Sequence, residues 1–107
     1  MNRYPTYSLQ TVQEIALSKR NCIASKRVFN WFENHGYPSR MIQDIVLALK
    51  ESDYYKTDEL EWLPGKMADI YKTEYEAEIW YVKLFIDQES EHSIVRIWSC
   101  VPNAYPH

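Results

Sequence analysis

The sequence predicts an α+β domain, with N-terminal helices packed on one face of an antiparallel sheet of about four to six strands. Three observations lead there. Apolar residues recur at helical spacing as far as Ser52 and at a spacing of two beyond it. Serines stand where the helices would begin, and the first of the two glycines, Gly36, stands where one would end. The later apolar runs are joined by short polar connections, and short connections between strands imply antiparallel pairing.

The elements follow in order. Ser8 caps a first helix through about Arg20, with Leu9, Val12, Ile15 and Ala16 on one face. Ser25 caps a second through His35, with Val28, Phe29 and Phe32 as its buried stripe and Gly36 as its left-handed stop. Pro38 fits the first turn of a third, whose positions Met41, Ile42, Ile45, Val46 and Leu49 keep a helical spacing. Tyr54–Thr57 makes a short strand, and Asp58 to Lys66, with Pro64-Gly65, reads as a loop. Met67–Tyr75, Glu78–Asp87 and Ser93–Val101 read as consecutive strands.

At 107 residues with 46% hydrophobic content, residues 1–107 suffice for one domain and one core, and the composition is the opposite of a disordered chain's. No apolar run approaches the roughly 18 to 20 residues that span a bilayer, and Met1–Pro5 lacks a signal-peptide core. Cys22 and Cys100 lie far apart and read as reduced thiols of a cytoplasmic protein. The net charge of −3 divides unevenly: residues 1–50 carry seven Lys/Arg against three Asp/Glu, and residues 51–107 carry five against twelve. The chain as a whole lacks the basic footprint of a nucleic-acid binder, so any RNA contact would be a local patch.

The acidic second half counts against such a patch, and strand alternation marks the best place to look for function. In Ile79–Ile86, Trp80, Val82, Leu84 and Ile86 form one apolar set, while Tyr81 and Lys83 share the other face with Ile79 and Phe85. The last strand divides likewise, Val95, Ile97 and Val101 on one side and Arg96, Trp98 and Cys100 on the other. Arg96 would then stand near Tyr81 and Lys83. Lys56 follows Tyr54 and Tyr55, and Lys72 follows Tyr71. Strand tyrosines beside lysines are ordinarily cross-strand pairs lying over apolar surface. A face this rich in cations and aromatics also suits single-stranded RNA, whose splayed bases stack on rings such as Trp98, Tyr54 or Tyr71.

Leu49 to Thr57 (Leu-Lys-Glu-Ser-Asp-Tyr-Tyr-Lys-Thr), Asp69-Ile70-Tyr71 and the strand Trp80-Tyr81-Val82-Lys83 resemble the MqsR family, the motility quorum-sensing regulator toxins. The resemblance spans roughly residues 7 to 99. It implies a fold like that of the RelE-type ribonucleases, metal-independent cleavage of mRNA, and neutralisation by a cognate antitoxin protein. Lys56 and Tyr81 carry over from the family's catalytic set; its glutamine falls on Ala68 and its C-terminal lysine near Ser99. Strand parity, not the resemblance, offers Arg96 as the replacement cation. The expected roles are phosphate stabilisation by Lys56 and proton transfer by Tyr81, its acidity raised by Lys83. Lys83, Lys72, Trp98 and Tyr54 would contact RNA.

Rival readings are a binding or regulatory module that keeps the fold without the activity, and an oligomerisation protein using the aromatic face as its interface. His35 suits a helix C-terminus, His92 a turn, and His107 lies at the end of the sequence. With no metal-ligand spacing and only two glycines, the sequence calls for no metal and no cofactor.

Overall fold

The computed structural model describes residues 4–105, and His107 lies outside them. Three α-helices, α1 (Leu9–Ala16), α2 (Lys26–Asn34) and α3 (Arg40–Ala48), precede most of a five-stranded sheet. Its strands are β1 (Cys22–Ala24), β2 (Tyr54–Glu59), β3 (Met67–Tyr75), β4 (Glu78–Glu89) and β5 (His92–Pro102), in the spatial order β1-β5-β4-β3-β2. The α+β class holds, but the sheet is mixed. β2 to β5 form the expected antiparallel meander, while β1 adds in parallel to β5 through Cys22↔Val95 and Ala24↔Ile97.

The first two helices keep their expected starts, and the first loses its end. Ser8 and Ser25 accept from the backbone N–H of Thr11 and Val28, satisfying donors that the first turn leaves open. α1 stops at Ala16, not Arg20. Ser18 is extended, and a single 3₁₀ turn at Lys19–Asn21 leads into β1. α1 and α3 then cap each other. Gln13 Nε2 donates to the carbonyls of Val46, Leu47 and Leu49 at 3.2, 3.2 and 2.9 Å. Gln43 Nε2 donates back to Ala16 at 2.7 Å. Neither helix has a basic residue in its last turn, so these amides serve its orphan carbonyls. Pro38 stands just ahead of α3, whose preceding residue Ser39 makes no side-chain cap, instead of inside its first turn. Gly36, at φ 76°, provides the left-handed exit from α2.

One sheet face and the helices enclose the main core, which includes Trp80, Val82, Leu84, Tyr71, Val95 and Ile97 with Val12, Phe32 and Ile45. Phe29, expected in the buried stripe of α2, is 42% exposed. The opposite sheet face is not uniformly open. Leu60 folds back over Ala68 and Phe85 as a second, smaller core, covering one end of that face and leaving the Tyr81–Lys83 end accessible. Asp69, fully buried, ties the N-terminal segment down by accepting from Thr6 N and Tyr7 N at 2.9 Å and from Thr57 Oγ1 at 2.7 Å.

Candidate functional site

A depression of about 750 Å³ occupies the open end of the sheet's second face. Register explains its contents. Lys83 on β4 stands opposite Ile70 on β3 and Ser99 on β5, and Tyr81 stands opposite Lys72. Lys56 on β2 is also opposite Ile70, and Asp58 is opposite Ala68. Lys56, Asp58, Lys72, Tyr81 and Lys83 therefore share one face and line one cavity. Ile70, between the two lysines, is fully buried, as expected where long cationic side chains cover apolar surface and keep their heads in water.

Two β-bulges shape the walls. β2 gains Tyr55 between Tyr54↔Tyr71 and Lys56↔Ile70; β5 gains Trp98 between Ser99↔Lys83 and Ile97↔Leu84. A bulge inverts the alternation beyond it. Cys100 consequently joins Val95 and Ile97 in the helix-side core, against the parity expected for the strand. Tyr54 is separated from Lys56 in the same way: it packs edge-on against buried Tyr71 at 5.8 Å, and its hydroxyl pairs with Thr57 at 2.5 Å. Neither Tyr54 nor Tyr71 lines the depression. The bulged residues do, and both carry cations: Lys72 Nζ sits 3.8 Å from the Tyr55 ring centroid, and Arg27 Cζ 5.5 Å from that of Trp98. Trp62, from the loop after β2, tilts against Trp98 at 5.0 Å.

Charge in the depression centres on Asp58. Its Oδ2 lies 3.7 Å from Lys56 Nζ and 3.9 Å from Lys83 Nζ. The Tyr81 phenol is held above its ordinary 10.0, chiefly by burial and then by the Asp58 and Tyr55 charges. That reverses the expectation that Lys83 would lower it. The phenol therefore keeps its proton, which so weak an acid gives up only to a strongly basic leaving oxygen.

Arg96 does not reach the site. It is engaged by Asp87 at 3.4 Å and Glu89 at 2.6 Å, farther along the β4–β5 ribbon and beyond the small core. The cation beside Ser99 comes from α2 instead. Arg27 donates to the Trp98 carbonyl at 2.9 Å and to Ser99 Oγ at 3.2 Å, and lines the depression. Nothing in the sequence alone brings Arg27 to the site, and Asp58 escapes notice because β2 runs two residues past the expected strand. Alternation from Lys56 would have shown Asp58 on its face had the strand been carried on. Ala68, where the family's glutamine falls, is buried in the small core.

Among the described residues no group of three or more His, Cys, Asp or Glu is arranged to hold a metal ion, and no helix is long and apolar enough to cross a membrane. No curated protein matches the chain. The family model for the motility quorum-sensing regulator, the toxin of MqsA, matches residues 4–97. The chain belongs to that family of toxin–antitoxin toxins.

Proposed function

We propose, from this membership, that the protein is a toxin that cleaves mRNA through attack by the ribose 2′-hydroxyl, held in check by a cognate antitoxin in the cytoplasm. One observation carries the reading: two lysines converge within 4 Å of one carboxylate beside Tyr81, in a depression walled by aromatics. The reaction puts negative charge on the phosphate and needs a proton delivered to the departing 5′-oxygen. Lys56 and Lys83 supply compact cations for the phosphate, and Arg27 a third at the Ser99 wall. Tyr81 donates the proton. Bases flanking the cut would stack on Trp98, Trp62 and Tyr55, as single-stranded RNA does on aromatic side chains. Lys72 stands beside Tyr55 as a backbone contact.

The test is cleavage of a defined single-stranded RNA in EDTA by wild type, Lys56→Ala and Tyr81→Phe, with induced expression and growth as a second readout. Cuts ending in 2′,3′-cyclic phosphate, at least about 100-fold slower in both variants, together with growth arrest relieved by Lys56→Ala, meet the proposal. Folded wild type that neither cuts RNA nor arrests growth counts against it. That outcome favours the second reading, an inactive binding module, whose support is the burial of Ala68 beyond reach of the depression.

A further inference from the structure

Cleavage through the 2′-hydroxyl also needs a group to accept that hydroxyl's proton, and the described face narrows the choice. No histidine lines the depression. An ammonium has no lone pair to accept with, which sets aside Lys56, Lys72 and Lys83 as they stand in their ion pairs and ring contacts; a guanidinium likewise sets aside Arg27. Tyr81 is held protonated by burial and by Asp58, and Tyr55 lies against the Lys72 ammonium. Three carboxylates remain. Glu59 accepts from Gly65 N at 3.0 Å in the turn that closes the small core. Glu61 stands on the exposed loop beyond it, and among the described residues no lysine lies within ion-pair distance of it. Asp58 alone lies between the cations.

We infer that Asp58 is the general base of this chain, taking the 2′-hydroxyl proton while Tyr81 protonates the leaving 5′-oxygen. The inference rests on the ribonuclease reading above. Its argument is positional. Each lysine ammonium has three N–H donors, so Lys56 and Lys83 can hold a phosphate oxygen while still facing Asp58. A phosphate gripped by both would stand beside the carboxylate that both already approach within 4 Å. The Asp58 side chain is 37% exposed, open enough to receive a ribose and covered enough to be held in place. Tyr81 projects from β4 on the same face, two residues from Lys83, so the phosphate can stand between base and acid.

The step balances without a cofactor. The 2′-O–H bond breaks and its proton passes to Asp58; the 2′-oxygen bonds to phosphorus; the P–O5′ bond breaks, and O5′ takes the Tyr81 proton. The products are a 2′,3′-cyclic phosphate and a 5′-hydroxyl. Asp58 then loses its proton to water and Tyr81 regains one.

The experiment compares wild type, Asp58→Asn, Asp58→Glu and Tyr81→Phe, all verified as folded, on one RNA cleavage site in EDTA. A matched RNA carries sulfur in place of the 5′-oxygen at the cut, a leaving group that needs no proton. Asp58→Asn should lose at least about 100-fold on both substrates, Asp58→Glu should recover part of the loss, and the acid limb of the kcat/KM–pH profile should vanish in Asp58→Asn. Tyr81→Phe should be slow on oxygen and restored on sulfur. Asp58→Asn that keeps the wild-type rate and acid limb overturns the assignment while the ribonuclease reading stands. Rescue of Asp58→Asn by sulfur overturns it too, since Asp58 would then serve the leaving group. Wild type inert on both RNAs overturns the assignment and the ribonuclease reading together.

Discussion

The two faces of the sheet are built from alternate residues of the same strands, and they obey different rules. On the helix side Trp80, Val82 and Leu84 are sealed against α1 to α3. One residue out of step, Tyr81 and Lys83 stand in a wet, charged depression with Lys56 and Asp58. The first face is held by apolar burial, which is large and indifferent to small shifts. The second is held by ion pairs at 3.7 and 3.9 Å, partly in water, where such pairs contribute little to stability. The contrast teaches that the ion pairs of the open face add little to what holds the fold.

Neighbouring residues break the comparison most sharply. Trp80→Ala should cost about 3–5 kcal/mol of stability, read as a lowered urea midpoint, because a fully buried indole stacked on Phe32 is removed. Tyr81→Phe, one position along, should leave that midpoint nearly unchanged and slow RNA cleavage at least about 100-fold, roughly 2.7 kcal/mol of barrier. A fall in stability as large as that of Trp80→Ala would erase the distinction between the faces.

A subtler test compares two tyrosines. Among the described residues the Tyr71 hydroxyl is buried without a hydrogen-bond partner. A buried unmet hydroxyl is costly, so Tyr71→Phe should raise stability by about 1 kcal/mol. Burial drives the Tyr71 and Tyr81 phenols above their ordinary 10.0. The folded state thus binds protons more tightly than the unfolded chain. The resulting stability is fully present below pH 10 and lost as pH rises through the folded values. Urea midpoints should be level, as far as these groups govern them, up to about pH 10 and fall above it, less steeply in Tyr71→Phe. The smallest effect concerns the thiols. Burial pushes Cys22 up to about 11 and Cys100 higher still, so native protein should resist alkylation at pH 8 where denatured protein reacts.

How much of this was legible in the sequence depended on distance along the chain. Helix starts were readable because Ser8 and Ser25 act within three residues. The strand faces of Ile79–Ile86 were readable because alternation needs no partner. What failed was decided by partners far away. β1 has three residues and exists only because β5 lies beside it. The bulges at Tyr55 and Trp98 belong to strand pairs, so single-strand parity misassigned Tyr54 and Cys100. Arg96 had the right face and the wrong end. Arg27 reached the site from a helix remote in sequence from the strands that form it.

The parallel seam has a consequence for the order in which the protein becomes itself. β1 is made early, yet the partner that completes it, around Ile97 and Trp98, lies 73 positions downstream of Ser25. Thr6 likewise waits 63 positions for Asp69. Both β5 and the Trp98–Ser99 wall of the depression are missing until that last strand has emerged from the ribosome. A chain elongating at about 5–20 residues per second therefore has no complete depression until β5 joins the sheet. Topology thus makes the depression one of the last features of the fold to be completed.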